Sequence, residues 1–248
     1  MKYISIGSEG APAVVFAHGW GRTHHDFIQI AESIAPLAHS ILLDLPGFGE
    51  TPRPADAWGT AEYADHINEF LDALPDKPVI WVGHSFGGRI GLRLGVKYPQ
   101  QLSGLVLVSS AGIPRKRSAV QQLKTRVQSA RFQVAKKRAA DQAALTDLEN
   151  RYGSADYIHS KEIGLRDVFL KVIAEDQSAD VVNIKCPTRL VYGAKDDETP
   201  VSIGERLQQL IPDATLVVCP EFDHIDILNR GRHQVALMIK EMIQAQSQ

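Results

Sequence analysis

Seven short apolar runs, many of them β-branched, punctuate the chain: KYISIG from Lys2, AVVFAH from Ala13, SILLDL from Ser40, PVIWVG from Pro78, GLVLVSS from Gly104, TRLVYG from Thr188 and ATLVVC from Ala214. Most are continuous rather than alternating, as expected of strands covered on both faces in a parallel sheet. Helical spacing recurs between them. Tyr63, Ile67, Phe70, Leu71 and Leu74 form one stripe behind an N-cap candidate at Thr60, and Val235, Met238, Ile239 and Met242 form another near the C-terminus. This alternation predicts an α/β fold: a mostly parallel central sheet of about seven to eight strands, helices on both faces, and right-handed crossovers.

One region breaks the alternation. From Ile113 to Val182 there is no convincing strand pattern, only helical stretches, which predicts a helical cap inserted into the core. The expected division is residues 1–112 for the first part of the core, 113–182 for the cap and 183–248 for the second part of the core. No repeat, low-complexity tract or linker separates them.

Composition narrows the function classes. Of 248 residues, 44% are hydrophobic and 23% charged, and a net charge of −2 gives no global attraction to nucleic acid or an anionic membrane. Cys186 and Cys219 are too few and too isolated for a disulfide framework or a zinc site, and they read as buried small hydrophobes. MKYISIGSEG lacks the apolar centre of a signal peptide, and no run approaches the ~18 apolar residues of a membrane span. The expectation is a cytoplasmic protein with no cofactor, no metal and no membrane span.

The candidate chemistry starts at GHSFG, Gly83 to Gly87. A G-x-S-x-G pattern would arise by chance about 0.1 times in a chain of this composition, so its context decides its meaning. Ser85 follows the predicted strand of Val79 to Val82 and precedes a helical pattern carrying Ile90, Leu94 and Tyr98. A strand-to-helix turn this sharp needs small residues two positions either side, and it leaves the hydroxyl exposed above the sheet at a helix N-terminus. A serine needs a base and an orienting acid to become a nucleophile. TRLVYG ends in YGAKDDETP, offering Asp196 and Asp197, and ATLVVC ends in PEFDHID, offering His224. SSAGIP, from Ser109, offers no carboxylate. For an oxyanion, the N–H after the nucleophile belongs to Phe86, and HGWG after an earlier strand offers that of Trp20.

HGWG (His18 to Gly21), DLPGFGET (Asp44 to Thr51), GHSFGG (Gly83 to Gly88), YGAKDDETP (Tyr192 to Pro200) and FDHID (Phe222 to Asp226) together resemble the α/β-hydrolase superfamily, in its esterase-like branch with a helical cap. The resemblance implies Ser85 as nucleophile, His224 as general base and acid, Asp196 as orienting acid, and Trp20 and Phe86 as oxyanion donors. The chain departs from the family in two places. One strand precedes the HGWG strand where the family often has a hairpin, and FD replaces the usual glycine before His224.

Each candidate has a structural competitor. Asp197 competes with Asp196. His18 and His84 read as rings hydrogen-bonded into their loops, and His24 and His25 as residues at a helix start. Asp44 reads as scaffolding, Phe48 as a residue that helps line the pocket, and Arg89 as structural support. In the cap, nine Lys or Arg and no Asp or Glu fall between Arg115 and Arg138, with Val120, Leu123, Val127, Ala130 and Val134 as an apolar stripe. This reads as an amphipathic helix whose apolar face covers the pocket, or else as an attractor of an acidic substrate or anionic surface. Asp141, Asp147 and Glu149 could pair with its basic face. The expected function is a serine hydrolase that cleaves a small to medium carboxylic ester through an acyl-enzyme. The alternatives are a C–C bond hydrolase of the same fold and a ligand-binding receptor that retains the pocket. Ile225 stands where C–C hydrolases often carry an aromatic residue.

Overall fold

A computed structural model describes residues 1–75, 77–115, 127, 130–135, 137–138, 141, 144, 148 and 154–246. Every apolar run singled out in the sequence forms a strand: β1 (Lys2–Ile6), β2 (Ala13–Ala17), β3 (His39–Asp44), β4 (Val79–His84), β5 (Leu102–Val108), β6 (Thr188–Gly193) and β7 (Ala214–Cys219). They make one seven-stranded sheet in the order β1-β3-β2-β4-β5-β6-β7. β1 runs antiparallel to β3, with Lys2 opposite Asp44, and all other pairs are parallel.

The continuous apolar runs are explained by cover on both faces. Val15, Leu43, Trp81, Leu105 and Leu107 point to one side, against α2 (Thr60–Asp72), α3 (Phe86–Lys97) and α6 (Val201–Leu210). Val14, Phe16, Leu42, Ile80 and Val106 point to the other, against α1 (Ile28–Ile34) and α7 (Arg232–Gln246). Burial of so many side chains at about 25 cal/mol per Å2 is the main favourable term holding these layers. Both cysteines are buried thiols. Among the described residues no helix is long and apolar enough to cross a membrane.

Thr60 is not the N-cap of α2. Gly59 holds that position and its N–H donates to Glu62 (2.8 Å), while the Thr60 N–H and hydroxyl are both taken by the Glu175 carboxylate. Glu175 immediately follows α5 (Arg166–Ala174), which with α4 (Ala155–Glu162) supplies the cap helices over the sheet. Further bonds fasten this part of the cap to the core: Arg89 Nη1 donates to Val172 O (2.6 Å), and Lys171 pairs with Glu62 (2.7 Å).

Strand order fixes where a site can form. From β2 the chain steps to β3 on one side, then crosses back to β4 on the other. The loops after β2 and β4 therefore diverge at their C-terminal ends and open a crevice, the usual ligand position in such sheets. HGWG follows β2 and SFGG follows β4, so the topology sets these two motifs side by side.

Candidate active site

Ser85 has φ 48°, in the left-handed region that a non-glycine residue occupies at a cost. The surroundings hold it there. Its N–H donates to Val108 O (3.0 Å), and its carbonyl accepts from Arg89 N (3.0 Å) and Ala111 N (3.3 Å). The flanking glycines are obligatory: a Cβ on Gly83 would lie 2.4 Å from Gly87 O, and one on Gly87 would lie 2.0 Å from Ala17 O. Gly87 also donates to His18 O (3.1 Å), tying the elbow to the loop after β2. Among the described residues, nothing accepts a hydrogen bond from the backbone N–H of Trp20 or Phe86.

The loops after β6 and β7 bring Asp196 and His224 together. His224 Nδ1 lies 2.8 Å from Asp196 Oδ2, and both residues are buried. The carboxylate accepts at that position, so Nδ1 carries the proton and, in the neutral form of the ring, Nε2 holds the lone pair. Asp196 also accepts the backbone N–H of Glu198 (2.9 Å) and Thr199 (2.8 Å) and the Thr199 hydroxyl (2.8 Å). Burial pushes the Asp196 carboxyl up, but the His224 hydrogen bond and charge and the Thr199 N–H outweigh it, so its pKa lies below the ordinary value. Asp197, the competing acid, is exposed. Asp223 is turned away too, its Oδ1 accepting from Ile225 N (3.0 Å) and Asp226 N (2.8 Å).

Ser85 and His224 border one cavity of about 310 Å3, which Gly19, Trp20 and Glu198 also line. His224 Nε2 faces this side, 3.6 Å from Glu198 Oε2. Among the described residues Ser85 Oγ has no hydrogen-bond partner, so Ser85 and His224 share the cavity without a bond between them. Catalytic hydrogen bonds commonly tighten only once substrate is bound. A second cavity, about 440 Å3, meets the first at Ser85 and has an apolar wall of Trp20, Phe86, Phe169, Val172 and Ile173. Among the described residues no three of His, Cys, Asp and Glu are gathered as a metal site requires.

Two other motif histidines brace the loops. His18 Nε2 accepts from Leu45 N (3.0 Å) while Nδ1 donates to Gly19 O (2.7 Å), an arrangement that needs a neutral ring, and burial lowers its pKa to about 4. His84 donates from Nε2 to His224 O (2.9 Å), and burial, then the neighbouring His224, hold it well below the ordinary imidazole value. Asp44 is scaffolding. It accepts from His24 N (2.9 Å), His24 Nδ1 (2.8 Å) and Glu50 N (3.0 Å).

Two expectations need correction. Phe48 does not line either cavity: it is buried behind Trp20 and Phe86, with ring centroids 5.0 and 6.1 Å away. Val127, Ala130 and Val134, the described part of the apolar cap stripe, are exposed and face neither cavity at Ser85. α5 and the first turn of α4 cover the serine instead. Val120, Leu123, Asp147 and Glu149 lie outside the described residues, and Asp141 is exposed.

The family model for the alpha/beta hydrolase fold matches residues 12–230, nearly the whole chain and every loop of the site. The chain belongs to the α/β-hydrolase family. Among its relatives, this hydrolase is 28% identical to a pimeloyl-[acyl-carrier protein] methyl ester esterase of Chromobacterium violaceum, over 93% of this chain and 94% of that one. Its fold is that of a bacterial membrane phospholipase A (TM-score 0.76, 22% identity, 98% of this chain and 82% of that one). It is also that of an esterase from Exiguobacterium antarcticum (TM-score 0.73, 20% identity, 97% and 94%).

Thr199, Glu198, Asp156 and His159 were not singled out from the sequence. Thr199 could have been found: an Asp followed at the third position by Thr is a local turn in which backbone N–H groups fold onto the carboxylate. Asp156 and His159 sit in the cap, where local spacing does not show which helix faces the serine.

Proposed function

We propose that this α/β hydrolase is a serine esterase acting on small to medium carboxylic esters through an acyl-enzyme. The observation that carries the reading is His224, held by the buried Asp196 at 2.8 Å, bordering the same cavity as a strained, elbow-held Ser85. His224 Nε2 takes the hydroxyl proton as Ser85 Oγ attacks the acyl carbonyl, and the Trp20 and Phe86 N–H groups receive the oxyanion. The proton then passes to the leaving alcohol. Water activated by the same nitrogen attacks the acyl-enzyme, releasing the acid and restoring Ser85. An apolar cavity of about 440 Å3 suits an acyl chain of modest length. The Chromobacterium relative, named for a methyl ester, supports the choice of bond.

The test is hydrolysis of p-nitrophenyl esters from acetate to palmitate by the wild type and by Ser85→Ala. Turnover should peak at a short or medium chain and disappear in the variant. A folded wild type that cleaves none of them, or a variant that keeps the rate, overturns the reading.

A further inference from the structure

The two cavities that meet at Ser85 differ in chemistry. Phe86 lines the apolar one and His224 lines the other. In ester cleavage the leaving oxygen is protonated from His224 Nε2, so the alcohol part must lie on the His224 side and the acyl part on the opposite side. The smaller chamber is therefore the alcohol chamber.

Its fixed charges are unbalanced. Glu198, after β6, reaches within 3.6 Å of His224 Nε2, and Asp156, in the first turn of α4, borders the chamber from the cap; both carboxylates stand where the two cavities meet and border the apolar one as well. Among the described residues neither carboxylate has a Lys or Arg partner. Among the described residues the one guanidinium on the wall, that of Arg22, is engaged by Asp26 (Nη2 to Oδ1, 2.6 Å). His159, beside Asp156, lies 3.6 Å from Glu162. Among the described residues that border the chamber, an incoming alcohol meets two carboxylates, one from the core and one from the cap, and no unpaired Lys or Arg.

Resting on the esterase reading, we infer that Glu198 and Asp156 set leaving-group specificity, favouring alcohols that carry a positive charge, then neutral ones, over alcohols that carry a carboxylate, sulfonate or phosphate. The bond broken is the same ester bond in each case, and only the approach and seating of the alcohol differ.

Three butyrate esters of similar shape test this: those of choline, of neutral 3,3-dimethylbutanol and of anionic 3-hydroxypropanesulfonate. The kcat/KM for the choline ester should exceed that for the sulfonate by at least about tenfold at low ionic strength, the effect of reversing the sign of a unit charge roughly 6 Å from a single carboxylate under near-aqueous screening. The ratio should shrink in 0.5 M salt and in Glu198→Gln or Asp156→Asn, and Glu198→Asp should restore part of it. Cleavage of the neutral ester with no preference between the charged ones, or a ratio unmoved by both substitutions, overturns the inference and leaves the esterase reading intact. If no ester is cleaved, the esterase reading fails, and choline binding to Ser85→Ala by calorimetry decides the chamber's preference. Saturable binding weakened by Glu198→Gln supports it, and no binding overturns it.

Discussion

His18 makes acid sensitivity of the fold predictable. Its Nε2 must stay unprotonated to accept the Leu45 N–H, and the ring is fully buried, which lowers its pKa from 6.5 to about 4. The unfolded chain, with the ordinary value, takes up a proton between those two pH values and the folded chain does not. Stability therefore rises with pH across this window: the contribution is fully present above about pH 6.5 and is lost as pH falls toward 4. A difference of 2.5 units is worth about 3 kcal/mol, of which about 2.5 kcal/mol is expressed between pH 7.5 and pH 4.5. His18→Gln keeps a donor and an acceptor but cannot titrate. Urea unfolding at several pH values should give a wild-type stability that falls more steeply with acid than that of His18→Gln, by about 2 kcal/mol over the range. Only the difference in slope matters, so a constant cost of the substitution does not enter. Parallel curves would refute the reasoning, because they would mean that His18 binds its proton equally well in both states.

Asp196→Asn should lower kcat by about 10^3–10^4-fold, because the wrong His224 tautomer becomes favoured, while Asp197→Asn should change it by less than about twofold; steady-state assays of the two variants separate the competing acids. Gly87→Ala drives a Cβ to 2.0 Å from Ala17 O, backbone against backbone, and should cost about 3 kcal/mol or more, seen as insoluble expression or a Tm lower by ~10 °C. Arg89→Met removes the bonds to Val172 O and Glu175 O that close the C-terminal end of α5. With α5 forming the apolar wall, KM for esters should rise more than kcat falls.

The legible parts of the fold were those encoded locally. Strands covered on both faces must be continuously apolar, so AVVFA and PVIWV declared themselves. The elbow was legible because its tight turn admits only glycine at 83 and 87. Asp196 and His224 were picked out by their order after successive strands and by the family resemblance, whereas their 2.8 Å approach and the exposure of Asp197 depend on how two loops distant in sequence meet. What failed depends on contacts distant in sequence. Thr60 looked like an N-cap until Glu175, 115 residues later, claimed both its hydrogen-bonding groups. An apolar stripe shows that a helix has a covered or coverable face but not what meets it, which is why Val134 was assigned to the pocket and is exposed. Phe48 belongs to a ring stack behind Trp20, and sequence spacing does not separate a lining ring from the one supporting it.

The central claim is that Ser85 is an activated nucleophile. It is tested most directly by intact-mass spectrometry after treatment with a fluorophosphonate, with the modified peptide then sequenced. The account predicts a single adduct on the wild type, located on the peptide that contains Ser85, much slower labelling of Asp196→Asn, and no adduct on Ser85→Ala. An unlabelled but folded wild type, or equal labelling of Ser85→Ala, would contradict it.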